Sequence, residues 1–229
     1  VDMVKVMSTY TDIKEKIIQT APAGFIRFAD KKETIGYIRK DIAVKLAGAT
    51  SDFRLTEVLS FSDESGISAA TRTQALRKAA ELLAMLKLLP AGISSELVDI
   101  RLSVYDPIYC QAPRNLARVM GLLTTSVRLN AYDADGLLLL AQRAACKAVD
   151  ASKWDSLAAG ARFVQEFAVP EGMVREIVLS FDADVKAGVH PVNRDGSVSQ
   201  FKSMELSDAL TKAKAGEVMY AAAISICES

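Results

Sequence analysis

Residues 66–90, GISAATRTQALRKAAELLAMLKLLP, have the strongest helical pattern in the sequence and decide the first interpretation of its fold. Ser68 is a favourable N-cap, apolar residues recur behind it at helical spacing, and Pro90 interrupts the pattern. The segment therefore predicts one long helix over residues 68–89. Its front is polar, and the question is whether that front contacts DNA or only faces water.

Composition sets the size of the core and limits the kinds of partner. The 229 residues are 50% hydrophobic, which is enough for one domain or two small lobes with a substantial core. Lysine and arginine balance aspartate and glutamate at 28 each, which argues against a surface that binds phosphate everywhere but permits a local basic groove. Cys110, Cys146 and Cys227 are odd in number and form no CxxC, which predicts reduced thiols in a cytosolic protein.

No targeting or membrane segment is visible in the sequence. The longest strongly apolar block, residues 137–141, is far shorter than the roughly 20 residues of a membrane span. No signal peptide is present at the start. We therefore expect a soluble cytoplasmic protein. The chain begins with Val1, and we expect Met7 to be the natural start and residues 1–6 to be a remnant ahead of it.

The rest of the sequence is also patterned mainly as helices. Apolar residues spaced by three and four, with prolines or capping residues at the starts, predict helices at 12–20, 33–48, 52–61, 113–129, 135–149, 153–167, 170–185 and 205–226. Alternation of period two predicts a strand at 97–105, and the aromatic segment 24–28 is a second candidate strand.

These elements predict a mainly α fold, a multi-helix bundle built as one body or as two lobes, with one or two short strands. Connections of three to six residues would place neighbouring helices antiparallel. The predicted division is an N-terminal helical lobe over residues 1–90, a connecting segment with the strand over 91–112, and a C-terminal helical lobe over 113–229.

The polar front of the helix at 68–89 is a candidate DNA-reading surface. With residues 52–61 as a first helix, the two would form a helix-turn-helix, whose second helix presents base-reading side chains near its start. The candidate residues are Arg72, Thr73, Gln74 and Arg77. The helix is long for this motif, the second arm of a wing is missing, and residues 51–65 are acidic. The pattern favours a solvated helix face over DNA reading.

A second candidate nucleic-acid site lies within residues 101–150, where six cations stand against four carboxylates. Arg114 and Arg118 are one helical turn apart and would share a face. Arginine suits bidentate contact with phosphate, and Tyr105 or Tyr109 would supply a stacking platform for a single strand. The candidate set is Arg101, Arg114, Arg118, Arg128, Arg143 and Lys147. The alternative is that these cations pair with neighbouring acids.

Motifs for catalysis, nucleotides or metals are missing from the sequence. It contains no GxGxxG, no GxxxxGK[ST] and no GxSxG, and His190 is its only histidine. We therefore expect no cofactor and no metal. An enzyme whose catalytic residues are dispersed along the chain is the least favoured of the functions considered.

The resulting expectation is a non-enzymatic, self-associating helical protein with a structural or assembly role. Apolar segments near Val4 and Tyr10 and in the tail 218–227 would dock onto a second copy of the chain. The alternative is a nucleic-acid-binding protein, either a nucleoprotein-like oligomer on single-stranded RNA or DNA, or a helix-turn-helix regulator. No membrane partner is expected.

Overall fold

The computed structural model describes residues 3–89, 92–103, 105–143, 154–155, 162–188, 190–194 and 196–228. The chain divides into two compact units. The middle unit comprises Gln19–Thr125 and Val164–Ile177, and the terminal unit comprises Val1–Ile18, Ser126–Phe163 and Val178–Ser229. Residues 91–112 lie inside the middle unit, and the three-part division at 1–90, 91–112 and 113–229 stays a prediction.

The fold is mixed α/β, so the expected mainly helical bundle is wrong, and the interpretation as a helical structural protein loses its basis. The helices are α1 (Met3–Ile17), α2 (Lys40–Ala49), α3 (Ala69–Met85), α4 (Arg114–Val119), α5 (Leu206–Lys214) and α6 (Tyr220–Glu228). The strands are β1 (Phe25–Asp30), β2 (Glu33–Arg39), β3 (Phe53–Leu55), β4 (Leu59–Phe61), β5 (Leu97–Ile100), β6 (Cys110–Pro113), β7 (Leu123–Tyr132), β8 (Leu138–Arg143), β9 (Trp154–Asp155), β10 (Arg162–Val169), β11 (Gly172–Asp184) and β12 (Val198–Met204).

A four-stranded sheet in the order β2-β1-β4-β3 forms one side of the middle unit. β1 and β2 form an antiparallel hairpin, β3 and β4 form another, and β1 runs parallel to β4. Phe28, Phe53 and Phe61 meet on this sheet with ring centroids 4.9–6.0 Å apart. Because such aromatic contacts contribute beyond the area they bury, the three rings anchor both hairpins.

Helix α3 packs its apolar face into the core of the middle unit and against β6. Ser68 caps it as predicted, since its hydroxyl accepts from the backbone N–H of Thr71 at 3.1 Å and the Thr71 hydroxyl accepts from the N–H of Ser68 at 3.0 Å. This reciprocal pair satisfies two backbone donors at the start of the helix. β6 pairs antiparallel with β5, which confirms a strand at the start of the predicted 97–105 segment.

Arg175 of β11 ties together three segments of the middle unit. Its side chain pairs with Glu166 at 2.7 Å and donates to the carbonyls of Ile35 and Gly121. It also lies 5.2 Å from the centroid of the Tyr37 ring. The Arg175 side chain is only 10% exposed, and a buried charge is costly unless it is paired and hydrogen-bonded. The ion pair and the two carbonyls supply these partners.

The terminal unit combines part of a mixed sheet with α1, α5 and α6, which pack on one another. The sheet order is β10-β11-β7-β8-β12 with β9 beside β8, and β7, β10 and β11 each have residues in both units. Asn130 of β7 donates to the carbonyl of Ser225 in α6 at 3.0 Å and to Asp182 at 2.9 Å. The buried hydrogen bond to Ser225 fixes α6 against the sheet, and the bond to Asp182 joins β7 to β11.

Of the helices predicted in the first half of the chain, the one at 52–61 is wrong, and the one at 33–48 is right only from Lys40 onward, where α2 begins. Residues 33–39 form β2 before α2 begins, and residues 53–61 form the hairpin of β3 and β4. Ile35 and Ile38 of β2 are both fully buried although they are three residues apart. A strand that is covered on both faces buries residues on both of them. Its apolar residues therefore do not alternate with polar ones, and their spacing also fits a helix.

The same cause explains the errors in the second half. The predicted helix 113–129 is the short α4 followed by β7, and the predicted helix 170–185 is β11. Of the predicted helix 135–149, residues 138–143 form β8 and residues 144–149 lie outside the described residues. Of the predicted helix 153–167, the described residues belong to β9 and β10.

The terminal segment behaves as predicted, with α5 and α6 separated around Gly216, which adopts a φ of 78°. None of the helices in the described part of the chain combines the length and the apolar character that crossing a bilayer requires.

Candidate ligand-binding grooves on helix α3

The basic residues that the sequence singles out in 101–150 are largely engaged with acceptors of the chain itself. Arg114 makes a bidentate ion pair with Glu96, which raises the pKa of Arg114 and lowers that of Glu96. Nη1 of Arg118 lies 3.6 Å from a carboxylate oxygen of Glu171. Arg101 donates to a backbone carbonyl of its own loop, that of Asp106, at 2.5 Å. The partners of Arg114 and Arg118 are acids, as the alternative interpretation of these cations expected, whereas that of Arg101 is a carbonyl.

The structure brings together only part of that basic set. Arg114 and Arg118 lie one turn apart on α4 in the middle unit and line a cleft of about 30 Å³. Arg128 lies in β7 and Arg143 ends β8, both in the terminal unit. Lys147 lies outside the described residues. A cleft of this volume holds about one water molecule.

The set at the start of α3 has a different setting from the one expected. No helix precedes α3 within residues 51–68, because residues 53–61 form a hairpin, so the helix-turn-helix geometry is absent there. The four candidates Arg72, Thr73, Gln74 and Arg77 nevertheless line two neighbouring grooves of the middle unit.

The first, which we name the Arg77 groove, has a volume of about 640 Å³ and runs between α3 and the loop that leads into β6. Positions 69, 70, 73, 74 and 77 share one helix face because they repeat at spacings of three and four. The groove is lined by Ala69, Ala70, Thr73, Gln74, Arg77, Ile108, Cys110 and Gln111. The two exposed alanines of α3 leave the hollow open because their side chains are small.

Polar side chains of the Arg77 groove divide into fixed and free groups. The Thr73 hydroxyl donates to the carbonyl of Ala69 at 2.7 Å and accepts from the backbone N–H of Gln111 at 2.9 Å. By contrast, Gln74 and Arg77 are exposed, and neither side chain makes a hydrogen bond or ion pair with any residue that the structure describes. The groove therefore offers one amide and one guanidinium to a ligand.

Arg72 is held by intramolecular contacts. Its guanidinium lies 3.9 Å above the centroid of the Tyr109 ring, and Nη1 donates to the Tyr109 carbonyl at 3.1 Å. The Tyr109 hydroxyl in turn donates to Asp30 of β1 at 2.6 Å. We name these three residues the Arg72 latch. It holds the loop at Tyr109 against both α3 and β1, and it leaves Arg72 unsuited to reading bases.

The second groove, which we name the Glu33 groove, has a volume of about 520 Å³ and lies beside the latch. It is lined by Glu33, Arg72, Leu102, Asp106, Pro107, Ile108 and Tyr109. Ile108 lines both grooves and is 43% exposed. The carboxylates of Glu33 and Asp106 make no hydrogen bond or ion pair with the described residues.

Two ionisable groups at the grooves stay neutral at physiological pH. Burial and then the hydrogen bond to Asp30 raise the pKa of Tyr109, and burial raises the pKa of Cys110 to about 12. Cys110 is thus a thiol, which is the unreactive form of cysteine. The Arg77 groove thus offers one unpaired guanidinium, and the Glu33 groove offers two carboxylates beside the latched Arg72.

Sequence reasoning missed Tyr109 and Gln111 as partners of α3, and Glu33 as a residue that lines the neighbouring groove. Tyr109 and Gln111 stand 37 and 38 residues beyond the α3 side chains that bind them. The polar front of α3 indicated a functional surface, but nothing in the sequence indicated which loop would pack against it.

Among the described residues, no group of three or more His, Cys, Asp or Glu side chains is placed to hold a metal ion. No protein-family model matches the chain, and no curated protein matches it.

Two solved structures to which the chain is similar are a MutT protein from Methanosarcina mazei Go1 and DR0079 from Deinococcus radiodurans. The first is 19% identical with a TM-score of 0.34, and the match covers 46% of this chain and 91% of that chain. The second is 11% identical with a TM-score of 0.38, covering 58% of this chain and 98% of that chain. Likeness at these values assigns neither a fold nor an activity to this chain.

Proposed function

We propose that the chain is a binding protein that acts without a catalytic centre and holds its ligand in the Arg77 groove. The observation that carries this proposal is the free pair Gln74 and Arg77 at the edge of a concave surface with small apolar residues. Ligand sites in proteins typically combine an apolar concavity with a few convergent polar groups.

The size of the groove suits a small molecule or a short extended chain. Its volume of about 640 Å³ lies within the range of small-molecule sites. Ala69 and Arg77 bound it along α3, and the eight steps of about 1.5 Å between them span about 12 Å. An extended peptide rises about 3.3 Å per residue, so about four residues would match this length.

The walls of the groove are organised before any ligand arrives. The hydrogen bond from Gln111 to Thr73 fixes β6 against α3, and the Arg72 latch fixes the loop beside it. A site whose walls are already ordered loses less conformational entropy on binding, which favours affinity.

The charge of the groove indicates an anionic group on the ligand. Arg77 is its only unpaired ionic group among the described residues, and the guanidinium fork binds carboxylate or phosphate in two hydrogen bonds. Ile108 offers apolar contact nearby. The proposed ligand therefore carries a carboxylate or phosphate next to an apolar part.

Self-association and binding of single-stranded nucleic acid stay predictions beside this proposal. The tail that suggested self-association has its apolar residues Val218, Ala222 and Ile224 buried within the terminal unit, so the chain's own core accounts for them. The nucleic-acid prediction is tested by Arg114→Glu with Arg118→Glu, which should abolish retention of a labelled RNA single strand.

Saturation-transfer NMR on the full chain tests the proposal with benzoate, phenyl phosphate and benzylamine as probes. We expect signals from at least one of the two anions that depend on the Arg77 groove, and no signal of the cation that depends on this groove. Ala70→Trp fills the groove from an exposed helix position and should remove the signal. Ala49→Trp is the matched control, an exposed helix alanine that lines neither groove, and should keep it. An anion signal that survives Ala70→Trp, or none in the wild-type chain, would contradict the proposal.

A further inference from the structure

We infer that the two grooves together take an extended peptide segment that carries an acidic group at Arg77 and a basic group at Glu33 and Asp106. This inference rests on the proposed function and names the class of ligand.

The two grooves provide one continuous path. Ile108 lines both of them, and Arg72 and Thr73, which are adjacent on α3, line one groove each. A ligand that fills the Arg77 groove therefore reaches the Glu33 groove by crossing Ile108. With about four extended residues in the first groove and a second groove of about 520 Å³, a segment of about six residues fits the pair.

The unpaired charges have opposite signs at the two ends of this path. Arg77 is free at one end, whereas at the other end Glu33 and Asp106 are free and Arg72 is occupied with Tyr109. Complementary charge selects a partner and fixes its direction. A peptide can carry an acid and a base a few residues apart, so both ends of the path would attract it.

A nucleic-acid strand fits this pattern poorly. Its phosphates repeat with one sign, so a strand that reached Arg77 would place further phosphates beside the carboxylates of Glu33 and Asp106. Like charges in contact are unfavourable and suppress the wrong partner. Ile108, 43% exposed between the two ends, instead suits an apolar side chain in the middle of a peptide.

The test uses fluorescein-labelled hexapeptides blocked at both ends and the full-length chain, with binding followed by fluorescence anisotropy. Each peptide has two charged residues at each end and two apolar residues in the middle. Two peptides are bipolar: one has its acidic pair first and its basic pair last, and the other has the reverse order. A third peptide is acidic at both ends, and a fourth is basic at both ends. A short oligothymidylate represents nucleic acid. One bipolar peptide should bind about two- to fivefold more tightly than every other probe, because a surface charge pair strengthens binding by at most about fivefold.

The decisive variant exchanges the charges at the two ends, Arg77→Glu with Glu33→Lys, and keeps the net charge of the chain. It should weaken the preferred bipolar peptide by about fivefold or more and favour the opposite order. The control, Lys45→Glu with Glu57→Lys, makes the same exchange at exposed residues outside both grooves and should change nothing.

The outcomes separate this inference from the proposed function. If the acidic peptide or the oligothymidylate binds best and Ala70→Trp removes that binding, the groove is the site but a bipolar peptide is not its ligand. An unchanged order of preference in the charge-exchange variant also overturns the inference. If no probe binds in a way that Ala70→Trp reduces, the inference fails, and the benzoate and phenyl phosphate signals decide the proposed function separately.

Discussion

Replacing Tyr109 by Phe tests the Arg72 latch with the smallest possible change. The substitution removes one hydroxyl and keeps the ring on which Arg72 stacks. That hydroxyl donates to the Asp30 carboxylate at 2.6 Å. A hydrogen bond to a charged group contributes about 1.5–3 kcal/mol, and the half-buried setting reduces this. We expect Tyr109→Phe to lower the local free energy of opening around β6 by about 1–2 kcal/mol.

Native-state hydrogen exchange in increasing urea measures this local free energy. The reporters are the amide of Tyr109, which donates to the carbonyl of Ile100 at 2.8 Å, and the amide of Gln111, which donates to Thr73. Tyr37→Phe is the control, because the Tyr37 hydroxyl makes no hydrogen bond with any described residue. Equal exchange in the wild-type chain and in Tyr109→Phe would refute the latch.

The pH dependence gives a second measure of the same contact. Burial and the bond to Asp30 raise the pKa of Tyr109 in the folded chain above its unfolded value of about 10. The unfolded chain therefore loses this proton first, and the stability that the group contributes is present below pH about 10 and falls as the pH rises further. Because the ring is only half-buried, we expect a loss well below the limit of about 1.4 kcal/mol per pH unit. Tyr109→Phe should flatten this alkaline decline; an identical decline in the variant would contradict the assignment.

Two further predictions concern the packing within each unit: Gly36 in the middle unit and α6 in the terminal unit. Gly36→Ala places a methyl group onto the backbone carbonyl of Met120, which cannot move aside as a side chain can, so urea unfolding should show a loss of about 3 kcal/mol. Gly48→Ala is the control, because no atom of another segment lies within 4 Å of the added methyl group. Equal stability of the two variants would contradict the close packing of Gly36 against Met120. Truncation after Gly216 removes α6 with its buried residues. Circular dichroism should then show a loss of helical signal larger than that of α6 alone, because the rest of the terminal unit is destabilised. A loss that corresponds to α6 alone would contradict this packing.

The sequence predicted α3 well because its signals are local. The Ser68 cap, the run of good helix formers and the spacing of buried residues such as Leu76 and Leu83 all lie within the helix. Only its end differs, at Met85 rather than residue 89. The break at Gly216 was predictable for the same reason, since glycine accepts the positive φ found there.

Apart from those at 24–28 and 97–105, the strands were missed because their burial depends on distant partners. Ile35 and Ile38 of β2 are both buried, and so are Ile177 and Val178 of β11. Burial on both faces removes the alternation of period two that identifies a strand, and the remaining apolar spacing fits a helix equally well. Nothing in the local pattern separates the two interpretations.

The four side chains that the sequence singled out on α3 lie at the proposed site, but their contacts could not be predicted. The sequence singled out Arg72, Thr73, Gln74 and Arg77 as one surface, and all four line the grooves. The division into two fixed and two free side chains depends on Tyr109 and Gln111, which only the tertiary fold brings to α3. A solvated polar helix face and half of a binding groove look alike in one sequence.

Titration of the isotope-labelled full chain with benzoate, followed by NMR, tests the central claim most directly. The side-chain amide of Gln74 and the Nε–H of Arg77 are free among the described contacts and line the Arg77 groove, so they report occupancy where it is proposed. The account predicts saturable shifts of these two signals and of the Gln111 side chain, all lost in Ala70→Trp. Saturable shifts confined to other residues, or no shifts at all, would contradict it.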